Sequence, residues 1–250
     1  MTQPPKHLIR QSFEKAAGTY DSAAQVQRRI CGWLASGLPA GAAPGIAVDV
    51  GCGTGYALRL LGERFPTSHL VGIDLSPAML AKVRPGAFRL AGDAEHLPLA
   101  DASVHLYWSS LALQWCRLDK ALGEARRVLW DGGCLAVATL GPGTFAELRT
   151  AFSAADAYRH TLAFLDPEQI AGVLAAAGLP DHRIVRRQEV CHYPDLKALL
   201  RAVKAIGANQ VGAGRRTGLM SREAWQRAEA AYEALRQPQG LPLTYDVITI

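Results

Sequence analysis

Three glycines at alternate positions in AVDVGCGTGYALRLL, residues 47–61, constrain this chain more than any other feature. They lie between a short apolar run and an apolar-periodic segment, the pattern of a strand, a tight loop and a helix. Gly51, Gly53 and Gly55 let backbone come close to a nucleotide at the start of that helix. A dinucleotide loop reads G-x-G-x-x-G/A, and its last small residue would stand where Tyr56 is. Tyrosine there packs poorly under a pyrophosphate. A nucleoside carrying an amino acid asks for something else: a flat backbone approach and an acid for its ammonium group. Asp49, two residues before the first glycine, can serve that end.

Further along, apolar strands alternate with amphipathic helices through short connections, which predicts a parallel doubly wound α/β sheet. Strands are expected at 46–50, 69–75, 87–94, 103–110 and 134–140, then near 183–192 and at 242–250. Residues 7–36 read as helical, with Leu8, Phe13, Ala16, Ala17, Ile30 and Leu34 as buried candidates. Helices are also expected at 119–133, 143–157, 166–177, 194–206 and 221–236. Ser76 as N-cap with Pro77 at the first helical position marks another helix start. The closing LPLTYDVITI alternates apolar and polar residues and suits a terminal antiparallel strand. Two more acids fall where a nucleoside needs them. Asp74 ends the second strand, where a carboxylate can accept from both ribose hydroxyls, and Asp93 follows the third, where it can accept from an adenine amino group.

The set DVGCGTG, GIDLSPAML and GDAEHLPLAD resembles the class I S-adenosylmethionine-dependent methyltransferases over residues 46–140. That resemblance implies a Rossmann-like seven-stranded sheet with the last strand antiparallel. It implies S-adenosylmethionine held by Asp49, Gly51, Cys52, Gly53, Gly55, Asp74, Leu75, Met79, Asp93, Ala94 and Ser109. The expected layout is a single methyltransferase domain over 1–250. Residues 1–43 form a helical lid, 44–192 the cofactor core, 193–240 a helical substrate cap and 241–250 the final strand.

Composition narrows the setting. No apolar run approaches the ~18 residues of a membrane span. The start, MTQPPKHLIRQSF, has neither a continuous apolar core nor a small-residue cleavage site, so no secretory signal is expected. Five cysteines are scattered without a C-x-x-C, as expected of reduced thiols in a cytoplasmic protein with no metal site. The formal charge of +5 is uneven. From Pro44 to Thr150 ten acids balance ten bases, whereas Asp181 to Arg236 holds eleven bases against six acids. Such a patch suits an acidic partner or a solvated face. Neither a nucleic-acid-binding motif nor aromatic interleaving accompanies it, so nucleic acid is not expected.

The acceptor is narrowed by what the fourth strand lacks. Amines, phenols and carbanions generally need a base for methyl transfer, while a carboxylate with a pKa near ~4 is already ionised at neutral pH. SSLALQWC offers Ser109, Ser110, Gln114 and Trp115, and His105 sits inside an apolar strand as a structural residue. Longer stretches, FEKAAGTYDSAAQVQR, SSLALQWC, TLGPGTFAELR, LLRAVKAIGANQV and LPLTYDVI, resemble the malonyl-acyl-carrier-protein O-methyltransferases of biotin synthesis across nearly the whole chain. The sequence departs from them with Asp131 where PGG is usual and Ser110 where Asn is common. The resemblance implies a malonyl thioester, on acyl carrier protein or coenzyme A, as substrate. It implies that Tyr20 closes over the methyl donor. Arg201 is expected to grip the carboxylate with its planar fork, with Trp115, Gln114, Lys204 and Asn209 around the substrate. Three alternatives stay open: a methyltransferase of another small carboxylic acid or a quinone-type ring, a nicotinamide-dependent dehydrogenase, and a nucleoside-binding regulatory module without chemistry.

Overall fold

A computed structural model describes residues 3–208, 211, 214, 216 and 218–250. Three N-terminal helices, α1 (Lys6–Ala16), α2 (Tyr20–Ala23) and α3 (Gln25–Ser36), precede strand β1 (Ile46–Val50). The continuous helix expected over 7–36 is therefore broken, between Ala17 and Thr19 and again at Ala24. Gly18 lies in the first break, where its weak helix propensity favours a turn. The chain continues through α4 (Tyr56–Arg64), β2 (His69–Asp74), α5 (Pro77–Leu80), β3 (Phe88–Ala91), β4 (Val104–Ser110), a 3-10 turn at Leu113–Trp115 and α6 (Leu118–Val128). Then come β5 (Leu129–Leu140), α7 (Ala146–Ser153), α8 (Pro167–Ala176), β6 (Val185–Tyr193), α9 (Leu196–Ala205), α10 (Arg222–Glu233) and β7 (Leu241–Thr249).

The seven strands run in the order β3-β2-β1-β4-β5-β7-β6. The first five pair in parallel, and β7 inserts antiparallel to both β5 and β6. Parallel strands covered by helices on both faces bury nearly all their side chains, which is why IAVDV carries no polar alternation apart from Asp49. Two apolar clusters fill the two faces. One includes Ile30, Leu61, Trp108 and Tyr232; the other includes Val48, Tyr107, Leu122 and Leu174.

One strand starts earlier than its sequence suggests. The Asp131-Gly132-Gly133 stretch, read as a helix stop, lies inside β5, where the pairing with β4 shifts register between Val104 and Leu106. Trp130 there stacks on His105, with ring centres 5.9 Å apart, and His105 Nδ1 accepts from the Ile46 amide at 3.2 Å. His105 is thus a structural residue, as expected. The strand order reverses between β1 and β4, and a doubly wound sheet opens its ligand crevice at the carboxyl ends on either side of such a reversal.

Candidate active site

Gly51 leaves β1 with φ +77°, and its amide donates to the Ile73 carbonyl at 2.7 Å. A Cβ added to Gly51 would meet the Ala112 Cβ at 2.2 Å, so the loop and the turn after β4 touch through bare backbone. Gly51→Ala combines an overpacked contact with a left-handed backbone, together about 2–4 kcal/mol. The melting temperature should fall by at least about 4 °C. A thermal melt identical to that of the wild type would contradict this packing.

Asp74 ties two loops together. Its Oδ2 accepts from the Gly53 amide at 2.9 Å and its Oδ1 from the Ser76 amide at 2.8 Å. Ser76 in turn caps α5, accepting from the Met79 amide at 3.3 Å. Burial raises the Asp74 carboxyl above the usual range, and the two amide donors work against that rise. Asp49 differs. It is 2% exposed, and its Oδ2 has no hydrogen-bond partner among the described residues. Burial, helped by the charge of Asp74, pushes its pKa up to about 8. A buried carboxylate without a partner is costly unless a cation or a proton meets it. The third acid, Asp93, accepts from the Glu95 amide at 3.0 Å and forms an ion pair with Lys6 of α1. Lys6 also reaches Glu95 at 3.0 Å.

These elements enclose a cavity of about 90 Å³. Gly51, Gly53, Asp74, Leu75, Met79, Asp93 and Ala94 line it, joined by Gly92, Ser110, Leu111, Ala112 and Trp115. Lys6, Ile9 and Phe13 of α1 and Tyr20 of α2 also reach it. A second cavity, of about 260 Å³, adjoins it through Phe13, Tyr20, Leu111 and Trp115, which line both. Phe13 and Trp115 meet edge to face at 5.8 Å in that shared wall. The second cavity is walled by Leu148, Phe152, Leu200 and Val203, with Gln27, Gln114, His160, Thr161, Lys204 and Tyr245 as its polar members alongside Tyr20. Tyr20 is held in place from both sides. Thr54 of the glycine loop donates to Asp21 at 2.6 Å, and Thr19 donates to the Ala205 carbonyl at the end of α9 at 3.1 Å. Burial first, then neighbouring negative groups, raise the Tyr20 phenol, which stays a neutral donor.

Several expected site residues stand elsewhere. Ser109 is fully buried and donates to the Val50 carbonyl at 2.7 Å; Ser110, one residue on and on the opposite face of β4, lines the first cavity. The Cys52 side chain turns into the core, against the bare face of Gly72. Gly55 caps α4 with φ +85° and packs on Val83, on the wall of a separate outer groove. Arg201 is exposed on α9 and does not line the second cavity, whereas Leu200, Val203 and Lys204 do. Arg201 lies one position, about 100°, round the helix from Leu200. Asn209 lies outside the described residues. Sequence reading missed Lys6 and Ile9 as site residues, although Lys6, Ile9 and Phe13 follow the i, i+3, i+7 spacing of one helix face. It also missed Gln27, in the first turn of α3 beyond the break at Ala24, and the facing choice of Ser110.

Among the described residues no helix is long and apolar enough to cross a membrane, and no cluster of three or more His, Cys, Asp or Glu could hold a metal ion. Residues 48–137 match the family model described as a methyltransferase domain. The fold is shared with the cyclase SpnF, at a TM-score of 0.60 and 18% identity over 100% of this chain and 97% of that one. A fold alone does not choose the chemistry, but the matched core together with full-length relatives makes the chain a class I S-adenosylmethionine-dependent methyltransferase. The whole chain goes further. It is 60% identical over 247 residues to a malonyl-[acyl-carrier protein] O-methyltransferase of Dechloromonas aromatica strain RCB, covering 99% of this chain and 94% of that protein. A protein of the same name from Laribacter hongkongensis strain HLHK9 is 42% identical over 259 residues, covering 97% of this chain and 87% of that protein. The chain belongs to the malonyl-acyl-carrier-protein O-methyltransferase family.

Proposed function

We propose that this chain transfers a methyl group from S-adenosylmethionine to the free carboxylate of a malonyl thioester, carried on acyl carrier protein or coenzyme A. The product is the methyl ester from which the pimeloyl chain of biotin synthesis grows. The observation that carries the reading is the sorting of charge between the adjoining cavities. Asp74 and Asp93 line the first, with Asp49 buried behind the glycine loop, and the one cation lining it among the described residues, Lys6, is already paired with Asp93 and Glu95. Among its described residues the second is lined by Lys204 and His160 and by no Asp or Glu. A cationic donor suits the acid-lined side, and an anionic acceptor suits the other.

When bound, S-adenosylmethionine supplies an electrophilic methyl on a sulfonium. Asp49 meets the ammonium group of the donor, Asp74 accepts from the ribose hydroxyls, and Asp93, steadied by Lys6, accepts from the adenine amino group. Tyr20 and Trp115 stand in the wall between the cavities, where they align the carboxylate with the methyl and exclude water. The carboxylate is ionised before it arrives, so no residue has to remove a proton. Lys204 sits on the same helix face as Leu200 and Val203 and offers the carboxylate a cation.

This assigns to Lys204 the role expected of Arg201. Lys204→Ala loses one charge-assisted hydrogen bond, about 1.5–3 kcal/mol, so kcat/KM for the malonyl thioester should fall by roughly ten- to hundredfold. Arg201→Ala should stay within about twofold, as an exposed side chain does. The reverse ranking in steady-state kinetics would return the carboxylate to Arg201. The function itself is tested by incubating methyl-labelled S-adenosylmethionine with malonyl, succinyl and acetyl thioesters. Label should pass to malonyl and not to acetyl, and equal labelling of acetyl would overturn the reading.

A further inference from the structure

The second cavity does not end at the protein surface abruptly. It continues into an outer groove of about 440 Å³, and His160, Thr161, Leu162 and Phe164 line both. The groove runs between the start of α7 and the loop after it, with Pro142, Arg149, Ser153, Ala157 and Arg159 on its walls. The loop is fixed. His160 Nε2 lies 2.8 Å from Asp156 Oδ1, Arg216 donates to Asp156 Oδ2 at 2.9 Å, and the His160 ring packs on Phe152 at 4.5 Å. Arg227 of α10 holds the same loop, donating to the Ala154 and Ala155 carbonyls at 3.0 Å each.

The charge of this face is unbalanced. Arg149 donates to the Thr144 and Pro142 carbonyls, and Arg227 to the two carbonyls just named, and among the described residues neither guanidinium is paired with a carboxylate. Arg159 is exposed, with no carboxylate paired to it among the described residues. Asp156, the one acid lining the groove among the described residues, is engaged by His160 and Arg216.

We infer that this groove is the entry port of the acyl arm, and that an acidic carrier protein docks on the arginine-bearing face around it. The inference rests on the malonyl-thioester reading above and adds the route and the docking face. The groove suits a narrow flexible arm, and the arginines suit an acidic surface at the arm's base. A second basic groove, formed by Arg28, Arg59, Lys82 and Arg84 beside Tyr56, has no lining residue in common with the acceptor cavity among the described residues. Among the described residues that groove shares no lining residue with the first cavity either.

The test compares malonyl on acyl carrier protein with malonyl on N-acetylcysteamine, a truncated arm without the protein. Arg159→Glu should lower the ratio of their kcat/KM values, carrier over truncated, by about tenfold at low ionic strength, and the loss should fade with added salt. Arg59→Glu should change that ratio by less than about twofold. Ala157→Trp narrows the groove and should raise KM for the carrier substrate. An unchanged ratio in Arg159→Glu, or a tenfold loss in Arg59→Glu in its place, would overturn the docking face. A wild-type KM in Ala157→Trp would overturn the route. Wild-type turnover of the truncated thioester reports on the proposed function separately: with neither substrate methylated, that function falls and the port with it.

Discussion

Asp49→Asn is expected to weaken S-adenosylmethionine binding by at least about two powers of ten and to remove its rise with pH below about pH 8. Removing one member of a buried charge pair typically costs about 3–5 kcal/mol. The free protein holds this carboxyl, 2% exposed, with a pKa of about 8. At pH 6 to 7 it is therefore protonated before binding. An ammonium group placed against it favours the carboxylate, so binding should release up to one proton. Affinity should rise with pH through this range. Above about pH 8 the ligand's own amino group begins to lose its charge, and the rise should stop. The stability of the free protein runs the other way. A carboxyl whose folded pKa is raised contributes stability fully present below its unfolded value of about 4 and lost as pH rises through its folded value. Asn has no such proton, so the variant should lack that part of the decline. Calorimetry at pH 6.5 in two buffers of different ionisation enthalpy measures the proton directly. Wild-type affinity and the same proton count in Asp49→Asn would remove Asp49 from the donor site.

Asp74→Ala should cost a comparable amount of affinity for a different reason. Its carboxylate holds the Gly53 and Ser76 amides at 2.9 and 2.8 Å and has lone pairs left for two ribose hydroxyls. Two charge-assisted hydrogen bonds to the ligand are worth about 1.5–3 kcal/mol each, so affinity should fall at least a hundredfold. The variant also leaves two amide donors without their carboxylate, and the melting temperature should drop by a few degrees. Its proton release on binding should survive, because Asp49 is untouched. Loss of the proton signal with intact affinity would exchange the roles of the two acids.

The sheet and the glycine loop were legible because their signals are local. An apolar run, three alternate glycines and a Ser-Pro helix start each declare a conformation within a few residues. What stayed hidden depends on phase or on distance. VHLYWSS is buried on both faces of the sheet, so no polar alternation tells Ser109 from Ser110. In LLRAVKAIG, Arg201 and Lys204 are three residues apart, and only the placement of Leu200 and Val203 against the cavity decides which cation faces it. Guanidinium geometry favours Arg201 on chemical grounds, whereas helix phase turns Lys204 to the cavity. Lys6 meets Asp93 and Glu95 across more than eighty residues of sequence, which no local pattern carries. The WDGG stretch resembled a helix end because glycine disfavours both helices and strands; the pairing of β5 with β4 overrides that preference.

In the proposed reaction a carboxylate oxygen takes the methyl. Saponification of the labelled product tests it most directly. A methyl ester of the malonyl thioester releases all its label as methanol in mild base, and acetyl thioester, which lacks the free carboxylate, yields no labelled product. Label that stays on the acceptor after base treatment would place the methyl on carbon or nitrogen and contradict the account.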